Sequence, residues 1–152
     1  MRSAVITTGR RVLVVLEPGD EVLSTLTRAC LEHGIAQAVI GTFSGALRRA
    51  RLIASEWPAA DPEAPLAESI EVTYTEGIGS GTITTGADGT VVAHVHVALG
   101  DKARGAAAVA GHLLEGETHY VIEVVLDEVL TPALGRSPHP DSRGVPILTI
   151  QD

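Results

Sequence analysis

Three histidines in one short stretch of the chain are the residues best suited to chemistry. His94 and His96 lie two positions apart in a run of strand-forming residues, and His112 follows in an Ala-Gly-His-Leu-Leu segment that we expect to form a tight turn. Since residues i and i+2 of a strand share a face, roughly 6.5 to 7 Å apart, the first two imidazoles can converge on one ion. With the third imidazole folded over them, they match the three-nitrogen donor set of a catalytic Zn2+ or of another divalent transition metal.

A second interpretation of the His-x-His pair stays open on these residues alone. His94 and His96 are also typical of the solvated side of an antiparallel strand, because one face of such a sheet is often wet. Gly111 favours the metal interpretation, since a glycine before His112 lets the backbone come close to a site that needs room.

Length, charge and cysteine content limit the classes of protein to which the chain can belong. Its 152 residues suffice for one domain with a core, and the single cysteine, Cys30, excludes thiolate metal clusters. The net charge of −8 makes a nucleic-acid partner unfavourable unless basic residues form a patch. The densest run, Arg48, Arg49 and Arg51, is also typical of an ordinary solvated strand end. No run approaches the ~20 apolar residues of a membrane span, so we expect a cytoplasmic protein with no membrane partner.

Turn signals and apolar periodicity predict an α+β fold, with a predominantly antiparallel β-sheet and one or two flanking helices. A helix is expected from Glu21 to His33, capped at its start by Asp20 and ended by Gly34. Strands are expected on both sides of a bend at 41–45 and of a hairpin turn at Glu76-Gly77.

The later part of the chain is expected to be less regular. The segment from Gly100 to Gly111 has the composition of a Gly/Ala-rich connection. We expect one domain over residues 1–152, with a core at about 10–129 and an irregular tail at 130–152. The short apolar stretch Val145 to Ile150 within that tail can add an edge strand.

The order of these landmarks resembles the PPC (plants and prokaryotes conserved) domain family, in its bacterial stand-alone form, over about residues 10–129. The motifs that carry the resemblance are Ser44 to Leu47, Gly81 to Ile83, His94-Val95-His96, Gly111 to Gly116, and Glu123 in the last strong strand. The usual Gly-Gly before the third histidine is Ala110-Gly111 in this chain.

The resemblance implies an antiparallel sheet flanked by helices, a homotrimer, and a metal ion on His94, His96 and His112. Plant members of the family join this domain to AT-hooks and bind DNA. Because this chain has no Arg-Gly-Arg-Pro AT-hook, that function does not transfer.

Two carboxylates near the histidines are the candidate catalytic residues. Glu123 interrupts an apolar strand, where an unpaired carboxylate is costly, so we expect it to act as a proton carrier. The alternatives are that it forms a salt bridge or a subunit contact. Glu115, close to the third histidine, could orient an imidazole through its other nitrogen. His119 is a further candidate, since it lies four residues before Glu123.

Three functions are compatible with these residues: a metal-dependent lyase or hydrolase acting on a carbonyl-containing metabolite, a non-catalytic DNA-associated or regulatory protein, and a metabolite-binding module. The enzyme and the metabolite-binding module would both bind a small-molecule ligand. Phe43, Trp57, Tyr74 and Tyr120 are expected to shape its pocket, with the Trp57 loop as a lid.

Overall fold

Antiparallel strands dominate the computed structural model, which describes residues 1–54, 68–86, 88–139 and 145–151. The elements are β1 (Thr7–Leu16), α1 (Val22–Glu32), β2 (Ala38–Ile53), β3 (Ile70–Thr85), β4 (Val91–Asp101), a 3-10 turn (Lys102–Arg104), β5 (Ala107–Thr131), β6 (Ala133–Pro138) and β7 (Pro146–Gln151). The predicted α+β class is confirmed. Among the described helices, none is long and apolar enough to cross a bilayer.

The main sheet curls until it closes on itself. Its five strands run in the order β1-β5-β2-β3-β4, all antiparallel, and β4 pairs in addition with β5. Strands β2 to β5 therefore form a ring, and β4 has a hydrogen-bonded neighbour on each edge. From His96 to Asp101, each residue of β4 consequently lies between two paired strands.

Helix α1 packs its apolar side into the core of this sheet. Val22, Leu26 and Cys30 follow at spacings of four and are fully buried, as the apolar stripe of a sheet-covering helix requires. The predicted helix is confirmed, but its predicted cap is wrong: the side chain of Glu21, not that of Asp20, accepts the amide of Ser24. The Asp20 carboxylate instead accepts the amide of Glu17 and closes the preceding turn.

The hairpin predicted at Glu76-Gly77 is wrong, because β3 continues through it. Gly77 pairs with Leu99 of β4, and a Cβ on Gly77 would overlap the carbonyl oxygen of Ala98. Gly77 therefore lets β3 and β4 approach closely. A glycine within a strand often marks such a close approach of another backbone. The bend predicted at 41–45 is likewise part of the continuous strand β2, which absorbs it through register shifts.

The connection predicted from Gly100 to Gly111 is shorter than expected. The chain turns within Lys102 to Ala106, and Ala107 already begins β5, paired with Asp101. Alanine has a low preference for strands, but the pairing with β4 overrides it.

The tail at 130–152, predicted to be irregular, contains a second sheet. β6 and β7 pair in antiparallel register from Ala133 opposite Gln151 to Pro138 opposite Pro146. Pro138 ends β6 and Pro146 begins β7, positions at which a missing amide donor is tolerated.

Candidate metal centre

Strand register, not a turn, brings the three histidines together. His94 and His96 share the face of β4 that points away from the core, opposite Thr82 and Ser80 of β3. On the other edge of β4, His96 lies directly opposite His112 of β5. The expectation that His112 lies in a tight turn is therefore wrong. Its imidazole nevertheless lies beside the other two, as expected.

The three rings are close enough to share one ion. Their centroids are separated by 5.0 Å (His94 to His96), 4.4 Å (His94 to His112) and 5.2 Å (His96 to His112). One ligand nitrogen from each ring lies within 4.8 Å of the others, and the Nε2 atoms of His94 and His96 are 3.1 Å apart. Two nitrogens on a tetrahedral zinc would be about 3.3 Å apart, given Zn–N distances of ~2.0 to 2.1 Å. The donor type and spacing fit such a metal.

The surroundings of the rings favour the neutral imidazole that a metal requires. Burial, followed by the positive charge of Arg136 and by the neighbouring rings, lowers the pKa of His94 to about 4. Burial is also the main cause that lowers the pKa of His112, followed by His96 and Arg136. At neutral pH both rings are unprotonated, so a cation need not displace a proton from them.

Arg136 is a site residue that the sequence analysis missed. It lies on β6, and its Nη2 donates a 2.8 Å hydrogen bond to Oγ1 of Thr82, the residue opposite His94. The guanidinium is half-buried, and burial lowers its pKa. No spacing rule relates Arg136 to the histidines, because the arginine comes from the tail and reaches the site across β3.

Glu115 is turned toward arginines of β2 and away from the imidazoles. Its carboxylate accepts a 2.5 Å hydrogen bond from Nη2 of Arg51 and lies 3.8 Å from Arg49. It is not among the described residues that group around the possible ion. Its expected role of orienting an imidazole stays a prediction.

Glu123 is remote from the histidines within one chain. It is exposed on β5 between Val15 and Ser44, roughly 35 Å beyond His112 along the strand at ~3.3 Å per residue. Its expected role as a proton carrier also stays a prediction, and it would require a second chain to bring the carboxylate to the rings.

His119 belongs to a different surface feature. It makes an edge contact with Tyr74 and stacks on Tyr120, at centroid distances of 5.4 and 3.9 Å. The three rings line an open groove of about 670 Å³. Tyr74 and Tyr120 line this groove, but none of the three clustered histidines does, so the expected role of the two tyrosines in shaping the ligand pocket stays a prediction. Phe43 is 2% exposed and belongs to the core, so its expected role in that pocket is wrong. The lid expected at Trp57 lies outside the described residues.

Comparisons with known proteins agree with this fold. A profile of the Plants and Prokaryotes Conserved (PCC) domain matches residues 4–130. The structure of a plant- and prokaryote-conserved protein from Pyrococcus horikoshii has a TM-score of 0.78 at 25% identity, over 97% of this chain and 97% of its own.

Two further solved structures are similar at lower identity. A metal-containing protein from Archaeoglobus fulgidus has a TM-score of 0.80 at 23% identity, with 98% and 99% of the two chains covered. A candidate DNA-binding protein from Bacteroides thetaiotaomicron has a TM-score of 0.76 at 21% identity, with 95% and 97% covered. No curated protein matches the sequence. Because the family profile spans most of the chain and includes all three histidines, this protein belongs to the Plants and Prokaryotes Conserved domain family.

Proposed function

We propose that this protein binds a divalent transition metal, zinc foremost, through His94, His96 and His112, and acts as an enzyme on a small carbonyl-containing metabolite. The observation that carries the proposal is the convergence of three imidazoles without a carboxylate among the grouped ligands of the described chain. That donor set is the one that catalytic zinc sites use when a coordination position is left for substrate or water.

A zinc ion in such a set supplies Lewis-acid chemistry, polarising a carbonyl oxygen or activating water at neutral pH. The chain's own residues hold and orient the site. β3 pairs with both His94 and His96, and β5 pairs with His96 on the other edge of β4. The neutral state of His94 keeps its lone pair available at physiological pH. Within one chain neither Glu115 nor Glu123 is grouped with the rings, so Glu123 would have to come from a neighbouring subunit to carry a proton at the site.

Metal content is the direct test. We expect wild-type protein, purified without a histidine tag, to contain about one metal ion per chain by elemental analysis, and a His94→Ala, His96→Ala double variant to contain almost none. His33→Ala is the matched control, because this histidine ends α1 and lies outside the cluster. Equal and substoichiometric metal in all three proteins would contradict the proposal.

A homotrimer is the second part of the proposal, and an exposed apolar surface supports it. Leu13 and Val15 of β1 are 66% and 52% exposed, and Val121 of β5 is 38% exposed. Large exposed apolar patches are typical of interaction sites. Glu123 lies on the same face as Val15, its partner in the ladder, so this surface could bring it to a neighbouring subunit.

The mass in solution tests the assembly. We expect light scattering on the eluting protein to give about 47 kDa, three times the 15.8 kDa of one chain. A Leu13→Glu, Val15→Glu variant should elute as a monomer. A wild-type mass near that of one chain would contradict the trimer while leaving the metal site untouched.

A non-catalytic metabolite-binding module would use the same residues as an enzyme. Measuring substrate turnover distinguishes the two functions. We expect metal-loaded protein to convert at least one member of a panel of small aldehydes, ketones and oxo acids, followed by proton NMR. Binding without conversion across the panel favours the module.

DNA association is the remaining candidate, favoured by the description of the Bacteroides neighbour. The arginines that could form a basic patch are neutralised by carboxylates: Arg48 by Glu117, Arg49 by Glu71 and Arg51 by Glu115. With a net charge of −8, we expect no shift of duplex DNA even at low salt. A steeply salt-dependent shift would revive this function.

A further inference from the structure

We propose that Arg136 is the anion-binding group of the metal centre, and that the ligand is a small organic carboxylate that also carries a carbonyl or hydroxyl oxygen. The guanidinium would hold the carboxylate while the second oxygen faces the histidine cluster. This inference rests on the proposed metal site and adds the chemical class of its ligand.

Arg136 is fixed beside the histidines by a defined contact. Its Nη2 donates to Oγ1 of Thr82 over 2.8 Å, and Thr82 pairs with His94 across the β3–β4 ladder. The positive charge of Arg136 acts on both His94 and His112. The cation therefore faces the cluster from the β3 side.

The guanidinium has donors that the described chain does not use. An arginine carries five N–H donors, and Nε of Arg136 is buried with no acceptor among the described residues. A buried donor without an acceptor is costly, and a buried positive charge without a counter-ion more so. An anionic ligand at the guanidinium would compensate the positive charge.

Arg136 differs in this respect from other arginines of the chain. The described arginines that form ion pairs with carboxylates are Arg10, Arg11, Arg28, Arg48, Arg49, Arg51 and Arg104. Arg136 is half-buried, yet its hydrogen-bond partner among the described residues is a neutral hydroxyl. Among the described residues no carboxylate pairs with Arg136, so the guanidinium is open to an anion that is not part of the described chain.

The charge of the complete site selects the ligand. Three neutral imidazoles leave the double charge of a divalent metal uncompensated, and Arg136 adds another positive charge beside it. The planar guanidinium matches a carboxylate through two parallel hydrogen bonds, which a single-oxygen ligand cannot form. A ligand with a carboxylate and a further oxygen satisfies both groups.

Cobalt-loaded protein allows the test, because the visible spectrum of Co2+ reports ligand binding. We expect pyruvate to bind the wild type, and Arg136→Gln to weaken pyruvate binding about 10- to 100-fold, the loss expected for hydrogen bonds to a charged group. Methyl pyruvate, which lacks the carboxylate, should bind both proteins equally. Arg104→Gln is the control, since Arg104 is an exposed residue paired with Asp101.

The possible results separate this inference from the metal proposal. Cobalt loading with equal pyruvate affinity in the wild type and Arg136→Gln would overturn the role of Arg136 alone. Inorganic phosphate binding more tightly than pyruvate would overturn the organic carboxylate. Failure of the wild type to take up cobalt would overturn the metal site and this inference together. If Arg136→Gln does not fold, Arg136→Lys carries the test, with reduced pyruvate affinity expected because lysine lacks the planar fork.

Discussion

Two glycines of β3 allow the metal site to be perturbed separately from the stability of the fold. A Cβ on Gly81 would overlap the carbonyl oxygen of His94 and lie 3.0 Å from Cα of Val95. A Cβ on Gly77 would meet Ala98 and Leu99 in the same geometry, four residues away along the same two strands. Gly81→Ala and Gly77→Ala are therefore a matched pair, of which only the first displaces a metal ligand.

The expected loss of stability follows from what must move. β4 has to shift away from β3, which strains the packed core by ~1 to 3 kcal/mol and weakens ladder hydrogen bonds worth ~0.5 to 1.5 kcal/mol each. The smaller conformational freedom of alanine in the unfolded chain returns ~0.4 to 1 kcal/mol. We expect the free energy of unfolding to fall by about 2 to 4 kcal/mol in both variants.

The metal affinity should distinguish the two. In Gly81→Ala the backbone of His94 moves, so zinc binding measured by competition with a chelating dye should weaken by at least ~10-fold. In Gly77→Ala it should stay close to the wild-type value. Urea unfolding supplies the stabilities. Equal losses of zinc affinity in both variants, or wild-type stability in either, would refute the reasoning from the close approach of these strands.

Four further results are expected. Leu26→Ala should lower the free energy of unfolding by about 2 to 5 kcal/mol in urea, because the side chain is fully buried, whereas Leu31→Ala, 62% exposed, should have little effect. Hydrogen bonds from the side chain and backbone of Arg10 lower the pKa of Glu128 to about 2, so its stabilisation should be present above pH 4.5 and be lost as pH falls toward 2. Urea midpoints of Glu128→Gln should approach those of the wild type over that range, and parallel curves would speak against it. Burial raises the pKa of the Cys30 thiol to about 11, so Ellman's reagent should label it far more slowly in native than in unfolded protein. Removal of metal by a chelator should leave the far-ultraviolet circular dichroism unchanged, since the core is apolar and separate from the histidines.

Local features of this fold were predictable from the sequence, and long-range ones were not. The helix at Val22–Glu32 follows from apolar spacing, and the shared face of His94 and His96 follows from strand periodicity alone. The sequence predicted that His112 would reach the other two histidines from a bend. Its position opposite His96 depends on the register between β4 and β5. The alanine-rich segment between the two histidines does not predict that register.

Glycine was the main source of error in the predicted turns, because glycine occurs both in turns and where two strands approach closely. Gly34, with a φ of +62°, ends α1 in the left-handed conformation that the sequence predicted. Gly77 and Gly81 instead sit within β3, where the absence of a side chain lets β4 come close. A turn and a close strand approach have the same local signature, and only the partner strand decides between them.

Arg136 shows why the proposed ligand class could not be predicted from the sequence, although the three candidate metal ligands were. The imidazoles come from neighbouring paired strands, so their convergence follows from the pairing of β4 with β5. The arginine reaches the same site from a separate two-stranded sheet, beyond the residues that match the family profile. The three imidazoles are placed by the β3–β4 ladder at His94 and His96 and by the β4–β5 ladder at His96 and His112, without a contribution from the tail. Under the two proposals above, the tail would select the charge of the ligand, so metal binding and ligand selection would reside on separable parts of the structure.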